Sequence, residues 1–571
     1  MYEQKPWLNF YGRVPPHLDY PQQTLYQAVH QSASRHPDAI AYDFMGRNVS
    51  YRRLCEEIDR CASALASLGL KRGDFITIAM PTCPQGVICF YAANKLGAVA
   101  AMVHPLATEK EIAFYLDETG SRYALTLDAC YGKFKAAAGR SALSTLILAR
   151  IPDCLSLPLR LGFWLTRGRH LEKVPRDPMV RWWRELMARR TTAVARAETG
   201  THDPAVVLFS GGTTGVPKGI LLSNQNFIAE GMQVAAWGEI TARDSILAIL
   251  PIFHGFGLGV CINAAFMSGG KSILVPQFTA ETVARLIKTK RPSLLVGVPT
   301  LFDALSRNHE FQRSDLSCLR ATFSGADTLP QPIKKRFEQV VQVGGGRVQL
   351  LEGYGLTEAV TAIMATPLGR YRERSIGVPF PDMLAKVVVP GTLDEASVGS
   401  DGELCLSGPA VMLGYLHHPD ETAAALRTHA DGRVWLHTGD IASMDGDGFF
   451  YFKLRQKRMI KSSGMNVYPA QVEECLYRHP AVLEACVVGV PDPAQGQRVK
   501  GFVVVKPPAA ASPELAQELI AHCQKELIKW SCPRDIEFRS ALPKTMIGKV
   551  AFKQLEDEEA ARSGGAGQRP G

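Results

Sequence analysis

The stretch Phe209-Ser210-Gly211-Gly212-Thr213-Thr214-Gly215-Val216-Pro217-Lys218-Gly219 joins glycines, paired threonines and a lysine directly behind the apolar run 205–209. Consecutive glycines let a backbone turn sharply and present N–H groups to an anion with no Cβ in the way. The hydroxyls of Thr213 and Thr214 add donors, and Lys218 adds a compact positive charge. Together these are the parts that hold a polyphosphate. A Walker P-loop is excluded by spacing, because Pro217 precedes Lys218 and Gly219 follows it.

Five further motifs follow in order. They are Pro251-Ile252-Phe253-His254-Gly255-Phe256-Gly257, Tyr354-Gly355-Leu356-Thr357-Glu358, Thr438-Gly439-Asp440, the run 455–464, and Pro543-Lys544-Thr545-Met546-Ile547-Gly548-Lys549. With the glycine-rich loop they resemble the AMP-forming acyl-CoA synthetases, relatives of firefly luciferase and of peptide-synthetase adenylation domains. The resemblance covers nearly the whole chain.

The resemblance implies ATP, Mg²⁺ and coenzyme A as partners of a carboxylic acid substrate. It assigns Ser210, Gly211, Gly212, Thr213, Thr214, Gly215 and Lys218 to the nucleotide phosphates. Tyr354 stacks on adenine, with Gly325, Ala326 and Asp327 as the opposite wall and Glu352, Gly353, Gly355 and Thr357 beside it. Glu358 and Thr214 hold Mg²⁺, a hard cation that prefers oxygen ligands. Asp440 accepts from the ribose hydroxyls near Arg455. His254 lies by the substrate carboxylate, and Lys549 bridges that carboxylate and the α-phosphate, where anions brought together need cations. Lys457 is the hinge about which a C-terminal domain rotates between half-reactions, bringing Lys461 and Gly464 to the thiol's path. Outside these motifs Asp440 reads as a turn residue, Tyr354 as a core aromatic and His254 as a satisfied core histidine.

Four positions depart from the family pattern. Gly211 stands where serine is common, Glu352 where a neutral amide is common, Arg458 where aspartate is common at the hinge, and Phe552 where arginine is common.

The elements that must position these residues are legible in outline. Apolar strands at 75–79, 205–209, 245–250, 272–275, 293–296 and 320–323 alternate with amphipathic helices, the pattern of parallel sheets covered on both faces. Ser50 caps a helix through Leu54, Ile58, Cys61 and Leu65, and Ser512-Pro513 opens another through Leu515, Leu519 and Cys523. Short strands and Gly/Asp turns dominate 385–452. The expected architecture is α/β: a large N-terminal domain, 1–452, of two doubly wound subdomains plus a small β-rich one. A small mobile α/β domain, 453–571, follows, with a disordered tail from 563.

Composition bounds the function. A net charge of +9 over 571 residues, with 46% hydrophobic and 21% charged, is that of a globular protein without a nucleic-acid stripe. Thirteen scattered cysteines read as reduced thiols. The start Met1-Tyr2-Glu3-Gln4-Lys5-Pro6 lacks a signal-peptide pattern, so the expected location is cytoplasmic. The uncharged stretch 245–270 could span a bilayer by length, but Pro251, His254 and several glycines make it a buried strand and loop. In 155–190, leucines and tryptophans sit among Arg160, Arg167, Arg169, Lys173, Arg181 and Arg184. Ordinary packing on the body accounts for that composition, and peripheral membrane contact is the alternative.

The expected activity is conversion of a medium- or long-chain fatty acid to its acyl-adenylate and then its coenzyme A thioester. An apolar stretch around His254 and Gly297-Val298-Pro299-Thr300 favours alkyl chains. Alternatives are other fates for the adenylate, such as carrier-protein acylation or β-lactone closure, and a non-catalytic acyl- or nucleotide-binding protein.

Overall fold

A computed structural model of the chain describes residues 2–166, 174–189, 194, 197–209, 217–455, 458–462, 465–492, 496–545 and 550–565. Two large sheets dominate it. A nine-stranded sheet runs from Val378–Pro379 through Ala362–Ala365, Leu350–Gly355, Ala321–Ser324, Leu294–Gly297, Ser245–Ala248 and Lys271–Leu274 to Ile40–Phe44 and Arg47–Ser50. Its strands are parallel from Leu350–Gly355 across to Ile40–Phe44. An eight-stranded sheet carries Gly414–Tyr415, Gly219–Ser223, Pro204–Phe209, Val99–Met102, Phe75–Ala79, Tyr123–Leu127, Thr145–Ala149 and Val180–Trp182. Both are mixed sheets with a parallel centre, as the near-continuous apolar strands require.

One hydrophobic core joins the two sheets through the helices between them, where Tyr42, Tyr51, Tyr91, Phe90 and Phe227 are buried. Helix Tyr51–Ser67 starts at the predicted cap, Ser50 Oγ accepting from Arg53 N–H, and Gly69 follows it at φ +95°. A β-carbon there is strained in that left-handed region, so glycine ends the helix cheaply. Helix Pro513–Glu526 likewise starts on Ser512, whose Oγ accepts from Leu515 N–H.

A five-stranded antiparallel sheet holds Leu384–Val388, Gly402–Ser407, Val434–Met444, Leu426–Thr428 and Phe450–Arg455. Its last strand pairs with Val434–Met444 as far as Asp440 opposite Arg455, so the sheet continues past residue 452. The N-terminal segment Pro6–Phe10 packs on this sheet, with Trp7 buried and its ring 6.3 Å from that of Phe450. Residues 458–565 build a separate five-stranded sheet, Met465–Val467, Ile460–Ser462, Gly496–Val505, Val482–Asp492 and Asp535–Phe538, with its own cores.

Three sequence readings meet a difference or a refinement. The last helix, Phe552–Gly565, runs past residue 563, where a disordered tail was expected; residues 566–571 lie outside the described residues. The uncharged stretch forms strand Ser245–Ala248 and then a wide i→i+5 helix, Phe256–Asn263, rather than a loop. Among the described residues no helix is long and apolar enough to cross a membrane. All thirteen cysteines are free thiols.

Candidate active site

Strand Pro204–Phe209 ends where the glycine-rich loop begins, and the returning strand Gly219–Ser223 pairs with it antiparallel, Phe209 opposite Gly219. Ser210, Gly211, Gly212, Thr213, Thr214 and Gly215 lie outside the described residues, as do Lys457, Gly464 and Lys549. Lys218 is described. Its Nζ lies 5.1 Å over the Tyr415 ring and 3.4 Å from Glu421 Oε1. Tyr415 is carried alongside by strand Gly414–Tyr415, which pairs with Gly219–Ser223. Its hydroxyl donates to Glu358 Oε1 at 3.0 Å, so the lysine and the proposed metal carboxylate share one aromatic neighbour.

Glu358 follows strand Leu350–Gly355 in the short helical turn Thr357–Ala359. The chain then reverses through a γ-turn: Val360 sits at φ 62°, ψ −66°, and Thr361 N–H donates to Ala359 O at 2.7 Å. A β-branched residue at positive φ is strained, and the packing around it must hold it. That packing is the histidine motif. A β-carbon on Gly255 would fall 2.0 Å from Val360 O, so glycine there allows the two motifs to touch.

His254 Nδ1 accepts from Phe256 N–H at 3.1 Å. That bond leaves the proton on Nε2, so the neutral ring offers an N–H donor. Directly behind the motif, Gly259 faces Glu230, a fully buried acid on helix Asn224–Trp237. Burial pushes the Glu230 carboxyl up to about 8, which keeps it neutral in an apolar surround at neutral pH.

The nucleotide end is a tight network. Tyr354 Oη donates to Asp440 Oδ2 at 2.6 Å, and Arg455 Nε lies 3.1 Å from Asp440 Oδ1. Burial and then Asp440 push the Tyr354 hydroxyl well above its ordinary range. Asp440, with Tyr354, Glu358 and Tyr415, in turn strengthens the hold of Arg455 on its charge, burial opposing. The whole set therefore lies within one electrostatic field. The Tyr354 and Phe452 rings are 6.3 Å apart. Asp440 thus accepts from a phenol and faces a guanidinium at once.

Beyond the ring lies the other wall. Gly325 N–H donates to Gly297 O at 3.0 Å, and a β-carbon on Gly325 would come 3.3 Å from Gly353 O and 3.4 Å from Phe256. Ala326 sits at φ 72° beside it, and Asp327 caps Thr328 N–H at 2.9 Å. Three buried polar atoms at this edge lack a partner among the described residues: Ser324 Oγ, Glu352 Oε1 and Thr366 Oγ1. They lie on adjacent strands, Ser324 in register with Glu352 and Thr366 N–H donating to Glu352 O at 2.8 Å. Orphaned polar atoms here, two on parallel strands and one just past an antiparallel strand, suit a ligand that supplies the missing donors and acceptors.

The departure at Glu352 is explained by its surroundings. Burial pushes its carboxyl up to about 8, with Lys334 opposing. It is therefore a neutral acid at pH 7, uncharged as an amide is. Unfolded, the group ionises near its ordinary value of 4.5. The folded state thus binds the extra proton, and the stabilisation is complete below about pH 4.5 and lost as pH rises through about 8. We expect Glu352→Gln to leave turnover near neutral pH within about twofold. Its stability relative to the parent should grow by about 1.4 kcal/mol per pH unit across that window. Urea titrations at several pH values check this; a pH-independent difference would mean Glu352 is ionised when folded.

The departures at Arg458 and Phe552 prove to be partners: the guanidinium lies 4.7 Å over the Phe552 ring. Arg458 also pairs with Glu473 and lies within the field of Asp327, beside Gly325 and Ala326 in sequence. Lys461 stands apart, exposed on strand Ile460–Ser462, its N–H donating to Gln497 Oε1 at 2.8 Å.

Three residues of this site were not singled out from sequence: Tyr415, Glu230 and Phe452. A lone charge on the otherwise uncharged stretch 224–237 is a legible signal for Glu230. Tyr415 gives no local signal, because its role depends on strand pairing across the sheet.

The AMP-binding enzyme family matches residues 29–416, and the AMP-binding enzyme C-terminal domain matches 471–549. A long-chain-fatty-acid–CoA ligase of Bacillus subtilis is 35% identical over 98% of this chain and 99% of its own length. One of Salmonella typhi is 33% identical over 97% and 98%. The crystal structure of an anthranilate CoA ligase with anthranoyl-AMP superposes with a TM-score of 0.84 at 23% identity, covering 96% of this chain and 99% of that one. The motifs, the sheets that carry them and these matches agree, and the chain belongs to the AMP-binding enzyme family.

Proposed function

We propose that the chain activates a medium- or long-chain fatty acid and passes it to coenzyme A. A carboxylate oxygen attacks the α-phosphorus of ATP and pyrophosphate leaves. The thiol sulfur of coenzyme A then attacks the acyl carbon and AMP leaves. The observation that carries this reading is the continuous set Lys218–Tyr415–Glu358 and Arg455–Asp440–Tyr354, which joins phosphate, metal and ribose functions in one field. The full-length likeness to fatty-acid–CoA ligases supports the choice of acid.

Glu358 is a hard oxygen donor beside the lysine assigned to the phosphates, a donor set that suits Mg²⁺. Magnesium, when bound, supplies positive charge to the phosphate oxygens. Lys218 holds the phosphates, Asp440 and Arg455 orient the ribose, and Tyr354 lies along the base. His254 offers its Nε2–H to the substrate carboxylate. Lys549 is the cation assigned to the reacting oxygens, and rotation about Lys457 exchanges one half-reaction's surroundings for the other's. The division into an N-terminal part and a mobile C-terminal domain after the β-rich sheet belongs to the same proposal.

The test is release of pyrophosphate and AMP with a panel of acids, each with and without coenzyme A. Thiol-dependent turnover on C8–C18 acids that falls by about 10²-fold or more in Lys549→Ala is the expected result. Pyrophosphate release without thioester would favour another adenylate fate. No release with any acid would leave a binding protein.

Peripheral membrane contact is a second reading, favoured by one observation. On helix Leu157–Thr166, Leu157, Leu161 and Leu165 follow at four-residue spacing and are 81%, 63% and 74% exposed. Arg160 lies on the same helix and Arg181 and Arg184 nearby in sequence, the basic complement an anionic lipid surface attracts. Cosedimentation with phosphatidylglycerol vesicles should weaken by about tenfold when all three leucines become serine. Unchanged sedimentation would assign the helix to ordinary surface.

A further inference from the structure

Away from the nucleotide, the β-rich sheet gathers a set of soft and borderline ligands in its interior. Strand Gly402–Ser407 pairs with Val434–Met444 in a register that sets Cys405 opposite His437. On the other edge, Leu426–Thr428 pairs with Val434–Met444, and His429 N–H donates to Arg433 O at 3.0 Å to close the turn. That hairpin folds His429 back until its Nε2 lies 2.9 Å from His437 Nε2. Cys405 Sγ lies 3.6 Å from Nδ1 of the same His437 ring. Cys405 is fully buried, and His429 and His437 are 5% and 9% exposed. One ligand atom from each residue lies within 4.8 Å of the other two.

Glu403 organises the set. Its Oε2 accepts from His437 Nδ1 at 2.9 Å, which turns the His437 Nε2 lone pair towards His429. A carboxylate behind an imidazole in this way is the usual outer support of a metal-bound histidine. His429 Nδ1 is buried with no partner among the described residues, and an ion between the two Nε2 atoms leaves that nitrogen to an ordered water. Two buried imidazole nitrogens at 2.9 Å either share one proton or flank a cation. A tetrahedral zinc ion, with bonds of about 2.05 Å, holds its nitrogens about 3.3 Å apart, so an ion enters with a shift of about 0.4 Å. Lys386 is the nearby cation, and it is engaged by Asp431 at 3.8 Å and by the Trp435 ring at 4.1 Å. On binding, the S–H bond of Cys405 breaks and its proton passes to solvent, and the resulting thiolate and Glu403 supply the negative charge that faces the ion.

We propose that Cys405, His429 and His437 bind one borderline transition-metal ion of the Zn²⁺ class, with Glu403 orienting His437 from behind. One thiolate and two imidazoles select such an ion over Mg²⁺, which takes oxygen ligands. The site is separate from the magnesium expected at Glu358. Glu403 ties it to the nucleotide all the same, because its Oε1 accepts from Gly439 N–H at 3.0 Å, one residue before Asp440. An ion here braces the strand that presents the ribose carboxylate.

The experiment uses the full chain, stripped with chelator and without nucleotide, titrated with Zn²⁺ by calorimetry and with Co²⁺ by absorption. The expected result is about one ion per chain and a thiolate-to-cobalt charge-transfer band. Cys405→Ser should abolish that band, and His429→Asn should weaken binding by about tenfold or more. Glu403→Gln should weaken it by about 10- to 100-fold with the stoichiometry kept. Cys318→Ser, at a half-buried thiol elsewhere in the fold, should leave metal binding unchanged. Circular dichroism of the metal-free variants separates a lost site from a lost fold. A parent protein that binds neither ion overturns the proposal, as does equal binding by parent, Cys405→Ser and His429→Asn.

Discussion

Asp440→Asn is expected to lower kcat/KM for ATP by about 10²- to 10³-fold, mostly through KM. The carboxylate is held from two sides, by Tyr354 at 2.6 Å and Arg455 at 3.1 Å, and its side chain is 2% exposed. Hydrogen bonds to a charged acceptor contribute about 1.5–3 kcal/mol each. Losing charge-assisted bonds to two ribose hydroxyls therefore gives an effect of the stated size. The amide also leaves Arg455 without its closest counter-charge. Measuring ATP against 2′-deoxy-ATP in both proteins isolates the contact. The parent should discriminate strongly and the variant weakly; discrimination that survives intact in the variant would show that Asp440 does not touch the ribose.

Arg458→Ala is expected to destabilise the C-terminal domain by about 3 kcal/mol. Arg458 and Glu473 pair with side chains only 19% and 15% exposed, and Glu473 also accepts from Val487 N–H at 2.8 Å. Burial works against the arginine's charge, but Glu473 and other nearby acids outweigh it and hold its pKa above the ordinary value. Removing one member of such a pair leaves a desolvated charge, at a cost of about 3–5 kcal/mol. The residual exposure places this pair at the lower end. The variant also strips the Phe552 ring of its cationic neighbour at 4.7 Å. Urea unfolding and limited proteolysis of residues 458–565 should register the loss. Glu473→Gln added to Arg458→Ala should restore part of it, since the stranded carboxylate is then gone. If the double variant is no more stable than the single, the ion pair is not the source of the loss.

The fold class and the chemistry were legible in residue types at short spacing. Apolar strands alternating with capped helices specify parallel sheets, and the caps at Ser50 and Ser512 act where the pattern places them. The close backbone approach that Gly255 allows, with Val360 O 2.0 Å from where a β-carbon would lie, shows only in the fold. What the sequence could not show is how distant segments meet. Tyr354 and Asp440 are 86 positions apart, and only the approach of two separate sheets puts a hydroxyl on that carboxylate.

The same physical reason covers the remaining surprises. The neutrality of Glu352 follows from burial, which outweighs the opposing charge of Lys334, a property of the folded surround rather than of a glutamate in its motif. Tyr415 reaches Glu358 because Gly414–Tyr415 adds an edge strand to Gly219–Ser223. Arg458 and Phe552 look like two independent departures in sequence, yet they stack on one another although 94 positions apart. Local spacing determines which groups can do chemistry. Strand register and burial decide which partner, charge state and orientation each one has, because both depend on contacts that short-range sequence does not encode.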